Sequence, residues 1–227
     1  MSDTDGAGDG AAGQAGSDRT RIRRNAKRAR YELNEVRAVL DANQVCTVAY
    51  VEAGEPRMIS TLYMRRGDYI YLHGNRQSAM LRHLLDGGQA CVSVICVDGI
   101  VVARSGFNCS MNYRSVVLFG RGEALPEEDH EPVLEAFVEA LVPGHLARVR
   151  RSTAAELNAT AVVRLPISDA SAKIRTGPAL DDDRDLDADV WAGVIPLQIH
   201  AGTPVPNPDL KPGMDLPDYI RDYRPPS

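Results

Sequence analysis

Residues 98–120, with the sequence DGIVVARSGFNCSMNYRSVVLFG, carry the most informative pattern of the chain. Two apolar runs, 100–103 and 116–119, flank a mainly polar connecting segment, and such short apolar runs predict two buried strands. Arg114 lies among Asn, Tyr and Ser residues where the second strand begins, so several hydrogen-bond donors can point at one anionic or heteroaromatic ligand. A salt bridge of Arg114 at the surface or at an interface is the alternative interpretation.

The second half of this segment resembles a signature of the pyridoxamine 5'-phosphate oxidase-like flavoproteins, in the branch with the 5-nitroimidazole-resistance and flavin-nucleotide-binding proteins. The matching residues, 110–120, have the sequence SMNYRSVVLFG, and further matches are SAKIRTG at 171–177 and VWAGV at 190–194. The similarity extends from Arg30 to about Tyr219. It implies a mainly β fold with helical insertions, the FMN-binding split barrel, which is a split antiparallel β-barrel that dimerises and holds FMN at the subunit interface.

Length and composition agree with one globular domain and two tails. The 227 residues, of which 44% are hydrophobic and 25% charged, can bury a substantial core. We expect a disordered tail at 1–20, the FMN-binding domain at 21–201, and an extended C-terminal arm at 202–227 that packs on the barrel or on a partner subunit. The apolar runs are strand-sized and residues 1–18 lack the apolar core of a secretory signal, so we expect a cytoplasmic protein.

Two charged tracts have simple interpretations. Residues 19–30 contain seven basic residues, but the net charge of −5 argues against a nucleic-acid-binding or membrane-binding protein, and a solvated arm or helix is favoured. Residues 181–189 contain six aspartates without the glycine turn and distal glutamate of a calcium loop, which favours a solvated loop.

The four cysteines lack C-x-x-C spacing, so we expect neither a disulfide framework nor a metal site.

Hydrophobic periodicity predicts strands interrupted by helices. The predicted helices are 32–43, 77–85 and 127–141. The predicted strands are 45–51, 57–64, 69–73, 90–97, 100–104, 114–122, 160–165 and 194–199. Consecutive hairpins fit a closed antiparallel barrel better than a parallel sheet, which needs a helix between most strand pairs.

The resemblance assigns the cofactor to residues 57–61 and 73–80, because split-barrel flavoproteins hold FMN with two adjacent strands and the start of the next helix. Hydroxyl groups, backbone N–H groups and a cation suit a flavin phosphate. The Arg-Lys pair of the oxidase proper is replaced by Ser78 and Ala79, so Arg57, Arg76 or a second subunit must meet the phosphate charge. The predicted cofactor-binding residues are Arg57, Ile59, Ser60, Thr61, His73, Gly74, Asn75, Ser78, Met80, Asn112, Arg114 and Ser115.

His73 is the candidate catalytic residue. It ends a predicted strand beside Gly74, and the resemblance puts a histidine of this position near the flavin, where it could donate a hydrogen bond or a proton to substrate; a structural role is the alternative. Relatives carry a histidine pair before the signature where this chain has Asn108 and Cys109, which disfavours metal or haem ligation through that pair. The residues predicted to line the substrate side are Lys173, Arg175 and Trp191.

These observations lead to one function hypothesis and its alternatives. The hypothesis is an FMN-dependent oxidoreductase that acts on a small molecule as a homodimer. The alternatives are a non-catalytic flavin- or haem-binding module and a deazaflavin-dependent reductase. The sequence contains no Rossmann glycine fingerprint that would supply its own nicotinamide domain.

Overall fold

The structure, a computed structural model, describes residues 13–227, so that most of the predicted tail at 1–20 lies outside the described residues. Its strands are β1 (Ala29–Arg30), β2 (Val45–Glu52), β3 (Glu55–Leu62), β4 (Met64–Arg66), β5 (Tyr69–Asn75), β6 (Gln89–Val102), β7 (Ser110–Arg121), β8 (Glu123–Ala124), β9 (Thr160–Pro166), β10 (Ala170–Arg175) and β11 (Gly193–Pro196). Its α-helices are α1 (Leu33–Asp41), α2 (Ala79–Leu85), α3 (His130–Leu141), α4 (Ala154–Ala159) and α5 (Asp218–Arg221).

Two antiparallel sheets form the barrel. The larger sheet has the strand order β1-β10-β7-β6-β2-β3, and β11 pairs with β6 beyond the end of β2. The smaller sheet has the order β4-β5-β9-β8. This arrangement confirms the predicted fold class, a mainly β antiparallel barrel with helical insertions.

Alternation along the strands divides the apolar residues between two cores. On β5, Ile70 and Leu72 point into the barrel, where they pack with the face of α1 that carries Val36, Val39 and Leu40. The intervening Tyr71 points the other way and packs beneath α3, in a second apolar cluster with Phe137. His73 follows the same alternation, and its ring contacts the Phe137 ring at a centroid distance of 4.4 Å.

The structure differs from the predicted strands in several places. The predicted strand 57–64 spans the end of β3 and the start of β4, and the predicted strand 194–199 ends at Pro196. The predicted strands 90–97 and 100–104 form one continuous strand, β6, because the register shift between Val97 and Gly99 is a β-bulge at Asp98 rather than a turn. Strand β10 was not predicted, because its inward residues Ala170 and Ala172 are small and give a weak alternation signal. Helix α3 begins at His130, after a 3₁₀ turn over Glu127–Asp129.

The C-terminal segment leaves the barrel and returns to it. Residues 202–217 are exposed, and α5 then brings Tyr219 to the turn after α3, where its hydroxyl lies 2.9 Å from Nδ1 of His145. Residues 223–227 line the same cleft as residues 196–201, so both ends of the segment meet at one place on the barrel. None of the helices in residues 13–227 has the length and apolar character needed to cross a membrane.

Candidate functional site

The first group of predicted site residues lies on an exposed edge strand. Within residues 13–227, β3 pairs with β2 on one side only, so the N–H and C=O groups of its other edge have no strand partner there. Met58 is 73% exposed, and Ile59 beside it is also exposed. Ser60 lies near the Thr47 hydroxyl of β2, at 3.2 Å. An edge strand with exposed apolar side chains is a surface suited to covering by a ligand or a partner.

Two buried nitrogen atoms near the end of β5 lack hydrogen-bond partners within the described residues. They are Nδ1 of His73 and Nε of Arg76. Burial lowers the pKa of His73, which keeps its imidazole neutral at pH 7. Because buried polar atoms in folded proteins are nearly always hydrogen-bonded, these two nitrogen atoms are candidates for contact with a bound group.

Local contacts around Gly74 and Asn75 fix the turn after β5. A Cβ at Gly74 would lie 3.1 Å from Leu81 Cδ1, so glycine allows α2 to pack closely there. Asn75 Oδ1 accepts a hydrogen bond of 2.8 Å from the Gln77 backbone N–H, whereas the Ser78 hydroxyl makes no capping bond to α2. Met80 belongs to the barrel core and is 4% exposed.

The second group lies on β7, where Arg114 is held by an ion pair. Its Nη2 and Nε atoms lie 2.8 Å and 3.0 Å from Oδ1 and Oδ2 of Asp98. The carboxylate raises the pKa of Arg114 further. The pair lines a cleft of about 920 Å³ between β6 and the C-terminal residues, with Ile95 and Tyr223 also in its wall. The salt-bridge interpretation of Arg114 therefore holds within the protomer.

The remaining predicted residues lie at the end of β10. Arg175 is 6% exposed, and its Nη1 donates to Oδ1 of Asn112, whose own amide donates to the Gly177 carbonyl at 3.0 Å. Lys173 precedes it by two positions and pairs with Ser115 of β7 in the sheet register. Trp191 is 65% exposed and contacts the backbone at Gly193.

One protomer does not bring these groups together. In the large sheet, β6 and β2 separate β7 from β3, a separation of three strand spacings or roughly 14 Å. Within one protomer, residues 57–61 and residues 112–115 therefore lie on strands that are not neighbours.

The sequence analysis missed two acidic partners. Asp98 binds Arg114, and Asp181, whose side chain is 3% exposed, accepts hydrogen bonds from the Arg104 backbone at 2.9 Å and from its side chain at 3.0 Å. The prediction of a solvated loop over 181–189 is therefore wrong at Asp181, because that carboxylate is buried against Arg104. No spacing signal links two residues so far apart in the chain.

Comparison with known proteins identifies the family. The Pyridoxamine 5'-phosphate oxidase family model matches residues 32–174, which is more than half of the chain. The chain belongs to this family. The predicted family is thereby confirmed, and the Pyridoxamine 5'-phosphate oxidase fold explains the two-sheet antiparallel barrel. A search of curated proteins finds no match.

Three solved structures are similar to the chain, two of them over most of its length. The flavocytochrome Anf3 from Azotobacter vinelandii is 39% identical, with coverage of 93% of this chain and 99% of that chain and a TM-score of 0.87. The FAD and heme binding protein from Mycobacterium smegmatis is 37% identical, with coverage of 86% and 96% and a TM-score of 0.82. A 5-nitroimidazole antibiotic resistance protein from Bacteroides thetaiotaomicron, 14% identical over 64% of this chain and 86% of that chain, shares the fold at a TM-score of 0.54.

Proposed function

We propose that this Pyridoxamine 5'-phosphate oxidase family member is a homodimeric redox protein that binds a flavin and a haem. The observation that carries the proposal is the similarity, over most of the chain, to two structures described as a flavocytochrome and as an FAD and heme binding protein. When bound, the flavin supplies two-electron chemistry and the haem supplies one-electron chemistry.

The flavin is proposed to bind along the outer edge of β3 and the end of β5. The unpaired backbone of β3 offers donors and acceptors to the polar edge of a flavin ring, and exposed Met58 and Ile59 offer apolar contact. Arg76, with its unpartnered Nε, supplies positive charge beside this edge. Arg57 is 3.6 Å from Glu52 in an exposed ion pair, which leaves it accessible to an anion.

His73 is proposed as the ligand of the haem iron. A neutral imidazole nitrogen is a common haem ligand, and burial already favours the neutral form of this ring. Among the five histidines, His73 alone has a buried ring nitrogen without a hydrogen-bond partner in residues 13–227. Phe137 contacts the ring on one side, and the apolar cluster beneath α3 gives the imidazole low-polarity surroundings.

The separation of the two groups of site residues supports the proposed homodimer. Since β3 and β7 of one protomer lie roughly 14 Å apart, we propose that residues 112–115 of one protomer face β3 of its partner across a two-fold axis. The exposed apolar side chains of β6, Ile95 and Val97, are available for that contact. Each dimer then holds two equivalent sites.

The deciding experiment is cofactor analysis of the purified protein. We expect a flavin absorption band and a haem Soret band, with the extracted flavin identified as FMN or FAD by chromatography. His73→Ala is expected to lose the Soret band and to retain the flavin. The matched control is His83→Ala, a half-buried histidine whose Nε2 lies 2.9 Å from the Gln89 carbonyl and so has a partner within the chain.

The outcomes separate the proposal from the function predicted from sequence. A protein that binds FMN without haem, and that is reduced by NAD(P)H and reoxidised by substrate, would be an FMN-dependent oxidoreductase. A protein that binds neither flavin nor haem would contradict both functions. Retention of the Soret band in His73→Ala would move the iron ligand to another residue.

A further inference from the structure

Arg175 is a buried positive charge without a matching negative charge. It lies at the end of β10 and is 6% exposed, yet it forms no ion pair with a carboxylate in the described part of the chain. Burial and the neighbouring Arg28 lower its pKa, whereas Tyr113 acts in the opposite direction. Burial of an unpaired guanidinium is costly, so a protein that retains one usually supplies its counter-charge from elsewhere.

The hydrogen bonds of Arg175 position it without neutralising it. Nη1 donates to the amide oxygen of Asn112, which is itself buried and held by the Gly177 carbonyl. Nη2 approaches the Pro178 carbonyl at 3.5 Å, and Nε has no acceptor. The edge of the guanidinium formed by Nε and Nη2 therefore has spare donors in the geometry that pairs bidentately with a phosphate or carboxylate.

Further unpartnered polar atoms lie on the segments joined to Arg175. They are Nδ2 of Asn108, in the connection between β6 and β7, and Oδ2 of Asp185. The two segments are tied together by the ion pair of Arg104 with Asp181 and by the bond of Asn112 with Gly177. Asp181 is occupied by Arg104, and Asp185 makes no ion pair with Arg175, so neither provides its counter-charge.

We propose that Arg175 binds an oxyanion of a bound cofactor, either a flavin phosphate or a haem propionate. This inference rests on the proposed function, which supplies both kinds of anion. Lys173, two positions away on the same face of β10, and Arg28, beside the start of β1, add positive charge around the anion. Asn112 acts as a positioning residue, because it fixes the guanidinium from the side opposite the anion.

The first test uses inorganic pyrophosphate and does not require a cofactor. We expect pyrophosphate to raise the melting temperature of the wild-type protein above that in sodium chloride of equal ionic strength. Arg175→Gln should lose this rise in melting temperature, whereas Arg184→Gln should keep it. Arg184→Gln removes the same charge from a neighbouring segment, but the Arg184 side chain is 82% exposed. Equal stabilisation of wild type and Arg175→Gln, or none in the wild type, would overturn the proposal.

The second test identifies the source of the anion. Affinities of wild type and Arg175→Gln are compared for FAD against riboflavin, and for haem against haem dimethyl ester. If Arg175→Gln binds FAD roughly ten- to a hundred-fold more weakly and binds riboflavin as before, the anion at Arg175 is the flavin phosphate. If the same loss of affinity is confined to haem and spares its dimethyl ester, the anion is a propionate. Equal losses for the charged and uncharged ligand of a pair would make Arg175 structural and overturn the proposal.

Two further results keep the tests independent. If Arg175→Gln does not fold, Arg175→Lys replaces it, and we expect it to retain part of the pyrophosphate effect because the charge remains. If the wild type binds neither flavin nor haem, the proposed function fails and so does the assignment to a cofactor, whatever pyrophosphate does.

Discussion

Arg114 and Asp98 form a two-point ion pair across the β6–β7 hairpin, with a distance of 2.8 Å from Nη2 to Oδ1. Asp98 is the extra residue of a β-bulge, and the bulge turns its carboxylate towards Arg114 on the neighbouring strand. Both side chains are about 30% exposed and line the cleft beneath the C-terminal residues. The bulge thus places a fixed donor group, rather than a mobile cation, in the wall of the cleft.

Replacement of Arg114 is expected to weaken flavin binding. Arg114→Ala should lower the affinity by on the order of 1.5–3 kcal/mol, about ten- to a hundred-fold, because a charge-assisted hydrogen bond at the cofactor is lost. Fluorescence titration with FMN and FAD measures the effect. Asp98→Asn keeps Arg114 but removes the negative charge that it pairs with. If Arg114→Ala and Asp98→Asn both fold, form dimers and bind flavin with unchanged affinity, the ion pair is structural.

Arg104 is expected to affect stability rather than flavin affinity. Arg104→Ala leaves the buried carboxylate of Asp181 without its partner, which should cost about 1–3 kcal/mol in the free energy of unfolding. The double variant with Asp181→Ala should be less destabilised than the sum of the single variants, because it removes the unpaired charge. Urea denaturation of the four proteins completes the cycle, and additive losses would contradict the coupling.

The assembly is expected to be a dimer at micromolar concentration. Sedimentation velocity should give one species of twice the chain mass of 24.7 kDa. Ile95→Asp places a charge on the exposed face of β6 and should favour the monomer, with weaker cofactor binding as a consequence. Val205→Asp, on the exposed C-terminal segment, is the comparison, and a cofactor-loaded monomer of the wild type would refute the shared site.

The cofactor-free protein is expected to lose stability as the pH falls from 7 to 5. Burial lowers the pKa of His73 in the folded state, so the unfolded state, with an ordinary value of about 6.5, takes up its proton first. The folded protein is then progressively disfavoured, by at most about 1.4 kcal/mol per pH unit for this group. His73→Gln should flatten the slope, and thermal unfolding of both proteins across the pH range will measure it; an unchanged slope would contradict the prediction.

Local patterns predicted the elements but not the contacts between them. Helix α1 was predicted because Val36, Val39 and Leu40 repeat at helical spacing, and this repeat does form its buried face. Strand β10 is not predicted from the sequence, because its buried residues Ala170 and Ala172 are small and give no clear alternation of apolar and polar residues. Pairs such as Arg104 with Asp181 and Arg175 with Asn112 join residues 77 and 63 positions apart, and such distances are set by sheet order rather than by any sequence spacing.

The segment 202–217 has a consequence for how the protein can change. Five of its sixteen residues are prolines, which limit the conformations open to the chain, and residues 196–201 and 223–227, on either side of it, line a single cleft. All of its residues are exposed, and loop length adds little to the closure cost. Segment 202–217 can therefore be replaced, shortened or used to carry a grafted sequence. Such a change alters the outer surface and leaves the strands that carry His73 and Arg175 unchanged.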